Sequence, residues 1–336
     1  MIKTGLFRFQ QEKMWFDQFR TRYGSSNIDM KGYLTNVISY ATKPRAPLRG
    51  HFTLSSPAIN VDEFMAFADT STSVKSSTRS KRQATHAAQS SGVVLVPSNL
   101  AIEIDASANS VSYQGLSLQK AHAQLRIDSS QLILQQSGFS LIGAPVVMDL
   151  RYQPVSPKRA RFVYHIQATD FDIKRAYTEI ALFRALATSA AKAEGLVSLD
   201  YQLGGNLDAR MHPVYSSLTG GGVLSVRQVK LKGFRLFGAV SSKTGHDIRD
   251  PDVSGIALKS TIAHDTLTIE RTKLRVAGFR PRLEGKVSLD GGLDLKFRLG
   301  LPPFGIFGIP MTIRGSQAKP IIHLGKGNEE KAETEP

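Results

Sequence analysis

Eight histidines (His51, His86, His122, His165, His212, His246, His264 and His323) are the side chains best suited to metal binding or to proton transfer near neutral pH. No two stand at the i, i+2 or i, i+4 spacing of a metal pair. The chain has no cysteine, which excludes thiolate metal sites, disulfides and cysteine catalysis. His122 and His165 occupy polar positions of alternating segments and read as exposed. Gly138-Phe-Ser140-Leu-Ile-Gly143 is one residue too long for a nucleophile elbow and lies among strand-like segments, not before a helix. Asp247, Asp250 and Asp252 lack the spacing and the closing glutamate of a calcium loop and read as a polar loop. Gly220-Gly221-Gly222 leads into a strand-like run, so it reads as a turn and not as a phosphate cradle before a helix. Arg227, Lys230, Lys232 and Arg235 alternate with Val229, Leu231, Phe234 and Phe237, a pattern of a solvated strand face that could also meet a membrane or single-stranded nucleic acid. The sequence therefore nominates no catalytic residue, no metal ligand and no cofactor site.

Most of the chain alternates in period two. Leu293, Leu295, Phe297, Leu299 and Leu301 share one face, and Asp294, Lys296 and Arg298 the other. The same alternation runs through Val197, Leu199, Tyr201 and Leu203, through Phe162, Tyr164, Ile166 and Ala168, and through Ala121, Ala123, Leu125 and Ile127. Leu100, Ile102 and Ile104 repeat it, as do Leu48, Phe52 and Leu54 around Gly50. Each pattern predicts a strand with one apolar and one polar face. Turn signals lie between them: Gly204-Gly205-Asn206, Asp290-Gly291-Gly292, Gly220 to Gly222, Pro154 and Pro157. Short connections make antiparallel neighbours, so the chain reads as mainly β.

Two helices are expected. The main one runs near 172–194, begun by Asp172, with Ile173, Ala176, Tyr177, Ile180, Phe183 and Ala187 at helical spacing and Gly195 as the stop. A short one lies near 61–68, with Asn60 as N-cap and Glu63 completing a capping box. Two helices cannot cover the apolar faces of a dozen or so strands. Those faces must meet in a sandwich or barrel, or line a curled sheet whose groove holds something that is not protein.

The chain carries 43 Lys+Arg against 28 Asp+Glu, a formal charge of +15. The Ser/Thr-rich stretch Thr70–Ser91 supplies +4 and reads as a flexible basic linker, while the tail 325–336 is net −2, leaving +13 on the patterned regions. Such a surface attracts phosphate-bearing partners. No stretch approaches the ~20 apolar residues of a membrane-spanning helix, and residues Met1–Phe19 carry Gln10, Gln11, Glu12, Asp17 and Gln18 where a signal peptide is apolar.

One stretch goes further than pattern. Val94 to Leu116, with Pro97, Asn99, Ile102, Ile104, Asp105, Asn109, Tyr113 and Gly115, resembles the opening of the AsmA-like C-terminal region. Leu118–Leu125, Gly138–Tyr152 and Ala168–Ala176 resemble its continuation, and Met311 to Ile322, with Gly315 and Pro320, its closing step. The resemblance covers Gly92–Leu324 and, more faintly, Gly32–Asp69. It implies a non-enzymatic protein of the cell envelope of double-membrane bacteria, related to the AsmA and TamB proteins, anchored in the inner membrane and extending into the periplasm. It further implies a role in outer-membrane biogenesis through phospholipid moved in an apolar β-groove. Family members carry an anchoring helix and are commonly far longer, so the expectation is a C-terminal fragment; the stretch Ala187–Glu194 also lacks the proline expected there.

The expected organisation is an N-terminal β segment with a short helix (1–69), a linker (70–91), an AsmA-like β domain (92–324) and a tail (325–336). The expected partners are phospholipid acyl chains, an anionic membrane surface and outer-membrane assembly proteins, with no nucleic acid. Phe162, Tyr164, Ile166, Leu199, Tyr201, Leu293, Leu295, Phe297 and Leu299 are the candidate groove lining, against the alternative that they form an ordinary core. A structural module for outer-membrane protein assembly, working through exposed strand edges, stands as the second reading.

Overall fold

The computed structural model describes residues 2–64, 92–186, 188–231, 252–274, 279–301, 307–316 and 319–325. The expected linker and tail, and Asp247, Asp250, Lys232 and Arg235, lie outside these residues. The protein is mainly β, as the alternation predicts. Its strands are β1 (Ile2–Gln10), β2 (Lys13–Tyr23), β3 (Ser26–Thr35), β4 (Leu48–Asn60), β5 (Leu100–Tyr113), β6 (Leu116–Asp128), β7 (Gln131–Leu141), β8 (Ala144–Ser156) and β9 (Arg159–Asp172). After the helical segment come β10 (Ala193–Leu207), β11 (Thr219–Leu231), β12 (Asp252–Ala263), β13 (Thr266–Lys273), β14 (Arg280–Ser288), β15 (Gly292–Gly300), β16 (Gly308–Ser316) and β17 (Pro320–Leu324). The chain forms two compact units, one of residues 1–141, 145–166 and 204–214, the other of residues 142–144, 167–203 and 215–336.

In the first unit the strands β1 to β7 pair in chain order. All these pairs are antiparallel except β4 with β5, which is parallel from Leu48↔Leu100 to Asn60↔Ser112. A parallel pair needs a long crossover, and residues 61–99 provide it. Apolar residues line up across the strands in register. Phe16, Gly32, Phe52, Ile104, Leu125 and Leu134 make one row; Met14, Leu34, Gly50, Ile102, Ile127 and Leu132 make the next. Gly32 carries no side chain between Phe16 and Phe52, so their rings meet edge to face at 5.3 Å. Segment 92–99 is held by Tyr152, whose hydroxyl donates to the Val94 carbonyl at 2.8 Å.

The short helix begins at 61–64 but without the expected capping box. The Asn60 side chain accepts from Asp62 N–H at 3.1 Å, as an N-cap should. Its own N–H, however, goes to Ser26 Oγ at 2.9 Å, and Glu63 accepts from Ser25 N–H at 3.0 Å. The neighbouring turn between β2 and β3 thus takes both groups that a capping box would have paired. A further helix, α1 (Val37–Thr42), follows β3; Glu12 accepts from its Ser39 N–H and Oγ at 3.2 and 3.0 Å.

In the second unit the expected main helix is divided. Asp172 caps α2 (Ile173–Glu179) by accepting from Arg175 N–H at 2.8 Å. Ile180 then turns extended (φ −107°, ψ 107°), α3 (Ala181–Leu186) and a 3-10 turn (Thr188–Lys192) follow, and β10 starts at Ala193. Gly195 is not a helix stop. It sits in β10 at φ +138°, where a Cβ would come within 2.1 Å of the Gln228 carbonyl of β11. Gly204-Gly205 and Gly220-Gly221-Gly222 are likewise strand residues and not turns. A Cβ on Gly220 or Gly222 would lie 2.1 Å from carbonyls of β10, so these glycines permit close approach of backbones. Asp290-Gly291 forms a turn as expected, with Asp290 accepting from Gly292 N–H at 3.1 Å. The strands β11 to β17 pair antiparallel in chain order.

Candidate functional site, an apolar strip on one sheet face

The strands β12 to β17 sort their residues onto two faces with little mixing. On one face the registers align Ser260, Ile269, Gly285, Leu295, Ile313 and Ile322, and beside them Thr272, Leu283, Phe297, Met311 and Leu324. Pro281, Leu299 and Ile309 form a third row, and Leu267, Val287 and Leu293 a fourth. A bulge between Ile269 and Thr272 keeps Thr272 on this face although it is three residues on. The apolar cluster built here comprises Phe279, Phe297, Leu299, Met311 and Ile313, with Leu283, Leu293, Leu295, Leu301, Ile309 and Ile322 packed against it. Every member comes from residues 279–322 of the same meander.

Burial changes along this strip. Leu299 and Phe297 are 1% and 4% exposed, whereas Leu295 and Leu293, further along the same strand, are half-buried. The strip is closed around Pro281, Leu299 and Met311 and accessible around Val287, Leu293 and Leu295. Leu299 to Leu293 spans about 20 Å at a rise of ~3.3 Å per residue, more than the ~15 Å half-thickness of a bilayer core.

Of the nominated residues, the structure brings Leu293, Leu295, Phe297 and Leu299 together on this strip. Tyr201 lies over Gly222 and reaches across β11 to Ser260, hydroxyl to hydroxyl at 3.2 Å, and burial raises its pKa despite that hydrogen bond. Leu199 shares its strand and is half-buried. Phe162, Tyr164 and Ile166 belong to the first unit. Phe162 is 5% exposed and stacks on Tyr164 at 5.9 Å. Phe162, Phe297 and Leu299 are thus core, and Tyr164, Ile166, Leu199, Tyr201, Leu293 and Leu295 are accessible in part. Sequence reading missed Leu283, Ile309, Met311 and Ile313, although Pro281-Arg-Leu-Glu-Gly-Lys-Val287 and Ile309-Pro-Met-Thr-Ile313 alternate as cleanly as β15 does.

The opposite face is charged. Arg271 holds Glu284 with two hydrogen bonds of 2.8 and 3.2 Å, which keeps that carboxylate below its usual range. Asp290 is lowered by Ser288 Oγ and by Gly292 N–H. In the first unit burial pushes Asp208 up, but N–H groups of His212 and Arg210 outweigh it and the net shift is downward. Each shift has a turn or an ion pair as its cause. Ser140 lies within β7, and His122 is exposed on β6. Among the described residues no three His, Cys, Asp or Glu side chains cluster as metal ligands. No helix among them is long and apolar enough to cross a membrane. What the strip presents is carbon, and carbon can desolvate an apolar chain. Comparison with protein-family models, with curated proteins and with solved structures finds no match to this chain.

Proposed function

We propose that this chain is a non-enzymatic cell-envelope protein of the AsmA type that holds phospholipid acyl chains on an apolar β face during outer-membrane biogenesis. The observation that carries the reading is the strip of β13 to β16: rows of Leu, Ile, Phe and Met in register, buried at one end and accessible at Leu293 and Leu295. Each methylene of a bound chain that leaves water there contributes about 0.8 kcal/mol, so a partly open strip suffices for binding. The test is native mass spectrometry of protein purified from membranes in mild detergent. Wild type carries phospholipid, and Leu295→Asp loses it while retaining its β circular dichroism. Lipid-free wild type sinks the proposal.

A second reading, a module for outer-membrane protein assembly, draws on β1. All nine of its residues are exposed, including Ile2, Leu6, Phe7 and Phe9 at 42–62%, and it pairs with β2 from Ile2 to Gln10. Exposed apolar strand residues of this kind can meet a partner protein. Crosslinking from β1 to an assembly protein, in lipid-free material, would favour it.

A further inference from the structure

One end of the first unit is built from the β1–β2 turn, the segment between β3 and β4, and the ends of β5 and β6. The last register row there runs Lys13, Thr35, Arg49, Ala101 and Asp128. The helix α1 follows Thr35 and is fastened to the β1–β2 turn. Val37 N–H donates to the Glu12 carbonyl at 3.2 Å, and the Glu12 carboxylate accepts from Ser39. None of the residues of α1 is buried, and Ile38 and Tyr40 are 46% and 38% exposed. Lys43, Arg45 and Arg49 come next, all exposed. Residues 9–13, 35–49, 97–101 and 128–131 together carry four cations, Lys13, Lys43, Arg45 and Arg49, against two acids, Glu12 and Asp128. One row in, on the same face as Lys13, Trp15 is in register with Tyr33. Two residues of strand set that row about 7 Å from the last one, close to the ~6 Å depth of a headgroup layer. On the other face the apolar row of Met14, Leu34, Gly50 and Ile102 reaches the same end.

We infer that this end of the first unit docks on the headgroup layer of an anionic bilayer. Ile38 and Tyr40 enter the interface, Trp15 and Tyr33 sit at headgroup level, and Lys43, Arg45 and Arg49 meet lipid phosphates. A bilayer interface selects Trp and Tyr at that depth, because each has an apolar body and a polar tip. Exposed apolar residues flanked by cations supply the two signals that stable surface binding needs. A single-stranded nucleic acid platform instead needs open ring faces on which bases stack. Here Lys13 Nζ lies 3.9 Å from the Tyr33 ring centroid and 4.9 Å from that of Trp15, and the Arg8 guanidinium lies 5.5 Å from the latter. Cations already stand over both rings. This surface belongs to α1 and its flanks and does not depend on the acyl strip of β13 to β16.

Trp15 is the single tryptophan of the chain, so intrinsic fluorescence reads this end alone. The test is titration of the full chain with vesicles of phosphatidylcholine alone and of phosphatidylcholine with phosphatidylglycerol, with and without bromine on the acyl chains. With mixed vesicles the Trp15 emission moves to shorter wavelength and the bromolipid quenches it, and phosphatidylcholine alone gives less of both. Each cation near an anionic surface accounts for about five-fold in affinity, so Lys43→Gln with Arg45→Gln weakens binding to mixed vesicles about thirty-fold. Wild-type binding also falls as salt rises, and Ile38→Ser with Tyr40→Ser weakens it at every salt concentration. All four side chains are exposed, so unchanged melting temperatures are expected. The charge variant keeps its co-purified phospholipid, and Leu295→Asp keeps its vesicle affinity, which separates this surface from the acyl strip. No change in Trp15 emission with mixed vesicles, or unchanged affinity in the Lys43 and Arg45 double variant, overturns the inference. Release from vesicles by inorganic phosphate at matched ionic strength, or tighter binding of polyuridylate through the same cations, overturns it in favour of a soluble phosphate or an RNA.

Discussion

On the outer face of the first unit, cations stand against acids. Arg8 pairs with Asp17 at 2.5 Å, Arg20 with Asp29 at 2.9 Å, and His51 with Asp105 at 3.0 Å, while Arg126 is in register opposite Glu103. Lys13 adds a cation–π contact 3.9 Å from the Tyr33 ring centroid. On the outer face of the second unit Arg271 pairs with Glu284 and Arg314 with Asp294 as well, but beside those pairs Lys273, Arg282 and Arg298 are aligned in register. The inner faces are built alike, as apolar rows with a glycine in line: Gly32 and Gly50 in one, Gly285 in the other. Packing thus imposes the same solution twice, and the charged surface is where the units part. A difference confined to solvent-facing residues points to function more than to stability, because surface pairs contribute little to folding.

The largest expected effects test the shared half of that comparison. Gly32→Ala would set a Cβ within 2.2 Å of the His51 carbonyl, and Gly285→Ala within 2.4 Å of the Asp294 carbonyl. Backbone cannot yield as a side chain can, so each should cost about 3 kcal/mol or more. Phe52→Ala and Phe297→Ala, both at buried positions, should each cost about 3–5 kcal/mol. Denaturant melts of the four variants check this, and a Phe297→Ala cost below about 1 kcal/mol would break the parallel between the rows.

Alkaline unfolding sharpens the comparison next. Burial pushes the Tyr152 hydroxyl from its ordinary 10.0 up to about 12, partly opposed by its bond to Val94. The neutral form is therefore favoured in the folded state. Stability is full below pH 10 and falls as pH rises toward about 12, because the unfolded chain ionises first. The loss should reach roughly 2 to 3 kcal/mol, and Tyr152→Phe should abolish it in urea melts across that range. Burial also raises Tyr113 in the first unit and Tyr201 in the second, so a smaller residual loss should remain in that variant and shrink further when Tyr201→Phe is added.

The smallest effects bear on the charges themselves. Arg126→Gln removes an opposite-charge pair and should destabilise by about 0.2–1 kcal/mol, whereas Arg282→Gln removes like-charge neighbours and should stabilise by a similar amount. Opposite signs in paired thermal melts would sharpen the contrast between the outer faces, and equal signs would erase it.

Strands β4, β5, β6, β9, β10 and β15 could be read directly from alternation, because one apolar face forces period two. The N-terminal strands could not. Bulges between Ile2 and Thr4, Leu6 and Phe7, and Phe16 and Phe19 shift the register, and the alternation of β1 and β2 is scrambled with it. The parallel β4–β5 pair was hidden because pairing direction depends on the crossover and not on the strand residues. Glycines in β10 and β11 read as turns since the close backbone that requires them belongs to another strand. At the strip, Leu293 to Leu299 were legible as a face, but which end is open depends on neighbours far along the chain. The cation row was illegible for the same reason: Lys273, Arg282 and Arg298 become neighbours only through the register.

The central claim is that acyl chains lie on the apolar face of β15. Leu295 and Lys296 are adjacent but point to opposite faces, so a photo-reactive benzoylphenylalanine at each position reports on one face alone. The measurement is irradiation of both variants as purified from membranes, followed by intact-mass spectrometry. The account predicts an adduct of phospholipid mass at position 295 and none at 296. No adduct at 295, or equal adducts at both positions, would contradict it.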